Sequence, residues 1–129
     1  MKGENTLVSV GVDMVEISRI KNSMQNKRFL KFILGDEEYS QLEKKNFPVQ
    51  SVAANFCAKE AFSKAVGTGI RGFGIKNVQI LRDELGKPYI FLTGNAIKTA
   101  KDKNSDFSVS LTHTKTYACA VVVCFNKKQ

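Results

Sequence analysis

The chain lacks most of the features that would assign it at a glance. No apolar run in its 129 residues approaches the roughly 20 needed to span a bilayer, which excludes a helical membrane protein. The first residues, Met1-Lys2-Gly3-Glu4-Asn5-Thr6, contain neither an apolar core nor a small-residue cleavage site, so a cytoplasmic protein is expected. There are only three cysteines, Cys57, Cys119 and Cys124, and no CxxC spacing. Cys119 and Cys124 lie five apart on a predicted strand, hence on opposite faces, which argues against a shared metal site. Buried free thiols in a reducing compartment are expected instead. Repeats, low-complexity runs and linkers are missing too, so residues 1–129 read as one domain with an ordinary core. What the chain does have is charge. Twenty basic residues against twelve acidic ones leave a net +8, which suits an anionic partner: nucleic acid, a membrane surface, a phosphorylated small molecule or an acidic protein.

The pattern of apolar residues predicts an α+β fold, with helices concentrated in the first half and strands in the second. Leu7 to Val12 alternates as a strand, with Asp13 just past its end on the Ser9/Gly11 side. A basic helix follows from Met14, carrying Arg19, Lys21, Lys27 and Arg28, and continues to Gly35. Asp36 is the expected N-cap of a helix reaching about Lys45. Pro48 and Gly67 bracket a long helix whose Ala53, Ala54, Ala58, Ala61 and Ala65 permit close backbone approach. Strands are expected over 75–82 and 88–92, a short helix over 93–103, and a hairpin of 107–113 with 117–125.

Three segments carry chemistry. Glu60 and Lys64 stand one turn apart on the long helix. Asp13 ends an apolar run, and Ser110-Leu111-Thr112-His113 holds the only histidine. Taken singly, each has a bland reading: a solvated helix pair, a cap, a strand-end imidazole. Together they are parts of a metal-assisted phosphate site. Gly67-Thr68-Gly69-Ile70-Arg71-Gly72 matches GxGxxG, but it closes a helix and precedes a strand, the reverse of a dinucleotide-binding turn. Glycines beside Arg71 still let backbone approach a ligand. A Cys57–His113 nucleophile pair is disfavoured, because Cys57 lies inside a helix without an electropositive flank.

In combination, these motifs resemble the holo-acyl-carrier-protein synthase family, the small single-domain 4′-phosphopantetheinyl transferases. Gly11-Val12-Asp13-Met14-Val15-Glu16-Ile17-Ser18-Arg19 matches the opening G-[IVL]-D-[IVL]-x-x-[IVL]-x-R. Phe56 to Gly69 matches F-x-x-K-E-A-x-x-K-A-x-G-x-G at every fixed position. Gly86-Lys87-Pro88 and Ser110-Leu111-Thr112-His113 follow in order. The resemblance implies a long central helix packed on a small, mainly antiparallel sheet. It implies transfer of phosphopantetheine from coenzyme A to a serine of apo-acyl carrier protein in fatty acid biosynthesis, with release of adenosine 3′,5′-bisphosphate.

By the same resemblance, Asp13 and Glu60 would ligate Mg²⁺, and Lys64 would stabilise the leaving phosphate. The general base stays open among Glu60, Asp13 and a water on the metal. Lys59 and His113 would contact coenzyme A phosphates, with Thr112, Gly67 and Arg71 nearby. Arg19, Met24, Lys27, Arg28 and Phe29 would form the docking face for the acidic carrier protein. Homotrimers with active sites shared between protomers are implied, and neither nucleic acid nor membrane is an expected partner. A nucleic-acid-binding module would explain the +8 charge but not Asp13 and Glu60, since carboxylates repel phosphate unless a cation intervenes. One departure is Asn55, where many members carry a basic residue that helps hold the nucleotide end of coenzyme A. Its absence shifts that task to Lys59, Arg71 or a neighbouring subunit.

Overall fold

The computed structural model describes residues 8–67 and 74–127. Its centre is helix α4 (Val49–Val66), whose buried residues run along most of its length. Pro48 precedes the helix with extended backbone, and Gly67 ends it in the left-handed region at φ 80°, donating its N–H to the Ser63 carbonyl at 3.0 Å. The Gly67 stop is the one expected from the sequence, whereas Pro48 is the cap rather than the first helical residue.

Against α4 lies a three-stranded antiparallel sheet in the order β1-β5-β4, made of β1 (Val8–Glu16), β5 (Tyr117–Asn126) and β4 (Ser105–His113). A separate hairpin, β2 (Val78–Arg82) with β3 (Pro88–Leu92), forms a second sheet. Helices α1 (Ile17–Ser23), α2 (Arg28–Ile33) and α3 (Asp36–Glu43) connect β1 to α4, and α5 (Asn95–Asp102) connects the hairpin to β4. Phe62, Val122, Ala118 and Ala58 are among the side chains closed off between helix and sheet. No helix among the described residues is long and apolar enough to cross a membrane.

Several boundaries differ from expectation. Strand β1 continues through Asp13 to Glu16, because its pairing with β5 extends from Val8↔Phe125 to Glu16↔Tyr117. The helix expected from Met14 to Gly35 is two helices. Asn26 divides them: its carbonyl accepts from Phe29 N and its side chain from Arg28 N, a local turn that competes with helix continuation. Asp36 is the first helical residue rather than the cap, and Gly35 is the cap. The segment expected as a strand from 75 begins as a 3₁₀ turn, Ile75–Asn77.

The face of β1 turned to α4 is Ser9, Gly11, Asp13 and Val15, not the valine face. Val8, Val10, Val12 and Met14 point outward and are 52–62% exposed. Gly11 explains the close approach: a Cβ there would collide with the Ala61 carbonyl on α4. Ser9 Oγ donates a hydrogen bond of 2.6 Å to the Ala65 carbonyl, so a strand side chain pins β1 to the helix backbone.

Candidate active site

The strand–helix contact at Gly11 decides what its neighbours can do. Two residues on, Asp13 projects from the same side of β1 toward the helical turn carrying Glu60 and Lys64. Lys64 Nζ donates to Asp13 Oδ1 at 3.2 Å and to the Val12 carbonyl at 3.1 Å. Burial, then the Asp13 carboxylate, raises the Glu60 carboxyl above its ordinary value, and Lys64 pulls the other way. Two carboxylates that repel each other beside a half-exposed ammonium form a charge arrangement completed by a cation and an anionic ligand. Among the described residues no group of three or more His, Cys, Asp or Glu side chains converges. The donor set at this point is therefore two hard oxygens, which suits Mg²⁺, an ion that keeps water and substrate phosphate for its remaining positions.

Cys57 lies beneath this cluster, its Sγ 3.4 Å from the Ala118 carbonyl. Burial and then the Asp13 charge push its thiol up to about 12. It is an inert core thiol, in line with the sequence reading. Cys124 is likewise buried, and all three cysteines are free.

Lys59 does not join the cluster, which corrects its expected contact with coenzyme A. Its ammonium is 1% exposed and bonds Glu38 Oε1 at 2.6 Å, the Ile75 carbonyl at 3.2 Å and the Val78 carbonyl, which occupies its three donors. Glu38 was not singled out in the sequence. Its second oxygen accepts from Asn55 Nδ2 at 2.9 Å and Ile80 N at 3.2 Å, while Gly35 N reaches Oε1 at 3.1 Å. Desolvation raises the Glu38 carboxyl and lowers the Lys59 ammonium, each against the attraction of the other. Asn55 belongs to this network, and its Oδ1 accepts from Arg82 Nη2 at 2.8 Å.

Thr112 and His113 sit at the exposed end of β4, and β5 separates β4 from β1. Asp13 and Leu111 pair with the same residue of β5, Ala120, from opposite sides, so the two edge strands are about 10 Å apart there. Within one chain, then, Asp13, Glu60 and Lys64 form one group and Thr112 and His113 another. Gly67 lies exposed just beyond Lys64, and Arg71 falls outside the described residues. The expected docking residues Arg19, Lys27 and Arg28 are exposed, and Met24 and Phe29 are half-buried against the core. Phe32, 68% exposed, stands with them.

Residues 9–122 match the model of the 4′-phosphopantetheinyl transferase superfamily. The chain belongs to that family. A holo-[acyl-carrier-protein] synthase of Clostridium beijerinckii is 40% identical over 118 residues, covering 91% of this chain and 96% of the relative. One from Treponema denticola is 38% identical over 119 residues, 91% and 97% of the two chains. The crystal structure of the Neisseria meningitidis holo-[acyl-carrier-protein] synthase superposes with a TM-score of 0.82 at 36% identity, covering 90% of this chain and 96% of that one. That from Bacillus anthracis, in complex with CoA (3′,5′-ADP), gives a TM-score of 0.78 at 28% identity over 95% and 100% of the chains. The α+β architecture of helices on antiparallel sheet is thus that of the transferase family.

Proposed function

We propose that this protein is a holo-acyl-carrier-protein synthase that moves 4′-phosphopantetheine from coenzyme A to a serine hydroxyl of an acidic apo-acyl carrier protein, in the cytoplasm and in service of fatty acid biosynthesis. The observation that carries the reading is the convergence of Asp13, Glu60 and Lys64 where β1 is pressed onto α4. The serine oxygen attacks the β-phosphorus of coenzyme A. The bond to the bridging oxygen breaks, and adenosine 3′,5′-bisphosphate leaves. Glu60, directly or through a water, accepts the serine proton. Lys64, with its ammonium 58% exposed, turns its donors to the leaving phosphate and offsets the charge that develops there. Asp13 and Glu60 are the residues that would hold Mg²⁺, which when bound neutralises phosphoryl oxygen charge. The exposed cations Arg19, Lys27 and Arg28 supply a surface complementary to an acidic carrier.

A homotrimer with shared sites is part of the proposal. The outward valines of β1 and the half-buried Val121, Val123 and Phe125 beside them form a continuous apolar sheet face. A second copy packed on that face would bury it. Intact-mass spectrometry of an apo-acyl carrier protein incubated with the protein, coenzyme A and Mg²⁺ is the test. One phosphopantetheine arm on the serine, abolished by EDTA, is expected. No mass increase with several active carriers would overturn the assignment.

A further inference from the structure

Where β1 rests on α4, side chains tie the two together in opposite directions. Lys64 Nζ reaches from the helix to the Val12 carbonyl at 3.1 Å and to Asp13 Oδ1 at 3.2 Å. Ser9 Oγ reaches from the strand to the Ala65 carbonyl at 2.6 Å. Gly11 sits between them, where a Cβ would meet the Ala61 carbonyl and the Ala65 nitrogen. Ser9, Gly11 and Asp13 share one face of β1, so strand alternation delivers all three to the helix.

The two ties differ in how firmly they are committed. Ala65 lies in the last turn of α4, where carbonyls are beyond the reach of the helix's own N–H groups. The Ser9 hydroxyl meets that need from a part-buried position, and no step of the transfer calls it away. Lys64 is in the opposite situation. Its ammonium is 58% exposed, and an exposed ion pair of this kind holds weakly. Two of its three donors are spent on β1. An ammonium that swings onto a phosphate therefore gives up part of its hold on the strand. The strand so released is the one that bears Asp13.

We propose that Ser9 is a positioning residue for the transfer: its bond to the Ala65 carbonyl keeps β1 seated on α4, and Asp13 opposite Glu60, while Lys64 leaves the strand for the phosphate. The proposal rests on the transferase reading above. Ser9 touches no reacting group, since Asp13 lies four residues, about 13 Å, further along the strand. In the resting protein the two ties are alternates, so the loss of either is covered by the other. During transfer Lys64 is engaged elsewhere, and the Ser9 bond carries the load.

The test has two arms. The first is hydrogen exchange of the free protein, read by mass spectrometry on peptides covering β1, with β2 as the internal gauge of global unfolding. Ser9→Ala and Lys64→Ala each lower β1 protection about twofold, and the two together lower it about tenfold or more, beyond the product of the single effects. Protection of β2 does not follow. The second arm is turnover with coenzyme A and an apo-acyl carrier protein, well below the melting temperature. Ser9→Ala lowers kcat about fivefold, the worth of one ordinary hydrogen bond, with KM for coenzyme A little changed. Ser9→Thr, which keeps the hydroxyl, restores both readouts. A double variant whose exchange equals the product of the singles would show that the ties are not alternates, and the inference would be wrong. It would be equally wrong if folded Ser9→Ala turned over with the kcat of wild type. The exchange arm needs no transfer: synergy at β1 in a protein that modifies no carrier would keep the paired ties and sink the transferase reading alone.

Discussion

Helix α4 carries two lysines five residues apart, and each meets a carboxylate from another element. Their circumstances are opposite. Lys59 and Glu38 are closed off together at 2.6 Å, with every donor and both carboxylate oxygens occupied. Lys64 and Asp13 meet at 3.2 Å at the surface, beside a second carboxylate that the first repels. The first pair ties α3, α4 and β2 into one body. The second is unsaturated and available to a ligand. A charge becomes reactive here where the structure withholds its partners, and structural where it supplies all of them.

The largest expected effect lies on the open side. Glu60→Gln should lower the transfer rate by about 10²–10⁴-fold, and Lys64→Ala by about 10²–10³-fold, in the mass-spectrometric assay, with unchanged circular dichroism. If either variant is instead unfolded, the contrast between the pairs fails. On the closed side, Lys59→Met should cost about 3–5 kcal/mol of unfolding free energy by leaving Glu38 buried and unpaired, read by urea denaturation. A double replacement, Lys59→Met with Glu38→Leu, should recover much of that loss. A Lys59→Met protein as stable as wild type would show that the pair is not the tie described.

A smaller effect has a sign that can be worked out. The Glu60 carboxyl is raised in the folded protein. Its contribution to stability is therefore fully present below its unfolded value, near 4.5, and is lost as pH rises through the folded value. In EDTA, Glu60→Gln should melt above wild type at about pH 7.5, and the difference should vanish near pH 4. A variant that melts lower at neutral pH would mean that Lys64 outweighs burial and Asp13. Smallest is the docking surface: Arg19→Ala should raise KM for the carrier protein roughly two- to fivefold with kcat unchanged, an effect erased by high salt.

Much of this was legible because it is local. The limits of α4 follow from Pro48 and Gly67, and the Glu60/Lys64 face from helical period. The side on which Asp13 falls follows from strand alternation, although the strand runs past it. The direction in which β1 faces was not legible, since an apolar stripe of valines looks the same whether it meets a core or another chain. Glu38 and Arg82 escaped for a different reason. Their partners lie 21 and 27 residues away, and no period or motif links such positions. The one available signal was Lys59 itself, an ammonium on the same stripe as Asn55 and Phe62, which must find a counter-charge inside.

Gly11 offers a way to separate distance from chemistry. Its missing side chain lets β1 rest on the Ala61 carbonyl, so position 11 works as a spacer of adjustable thickness under the strand bearing Asp13. Ala and then Ser at this position would lift the carboxylate away from Glu60 and Lys64 in steps while every reacting group stays in the protein. A misplacement of about 1 Å can cost about 10²-fold, so the rate along this series would calibrate how much of the acceleration is alignment alone.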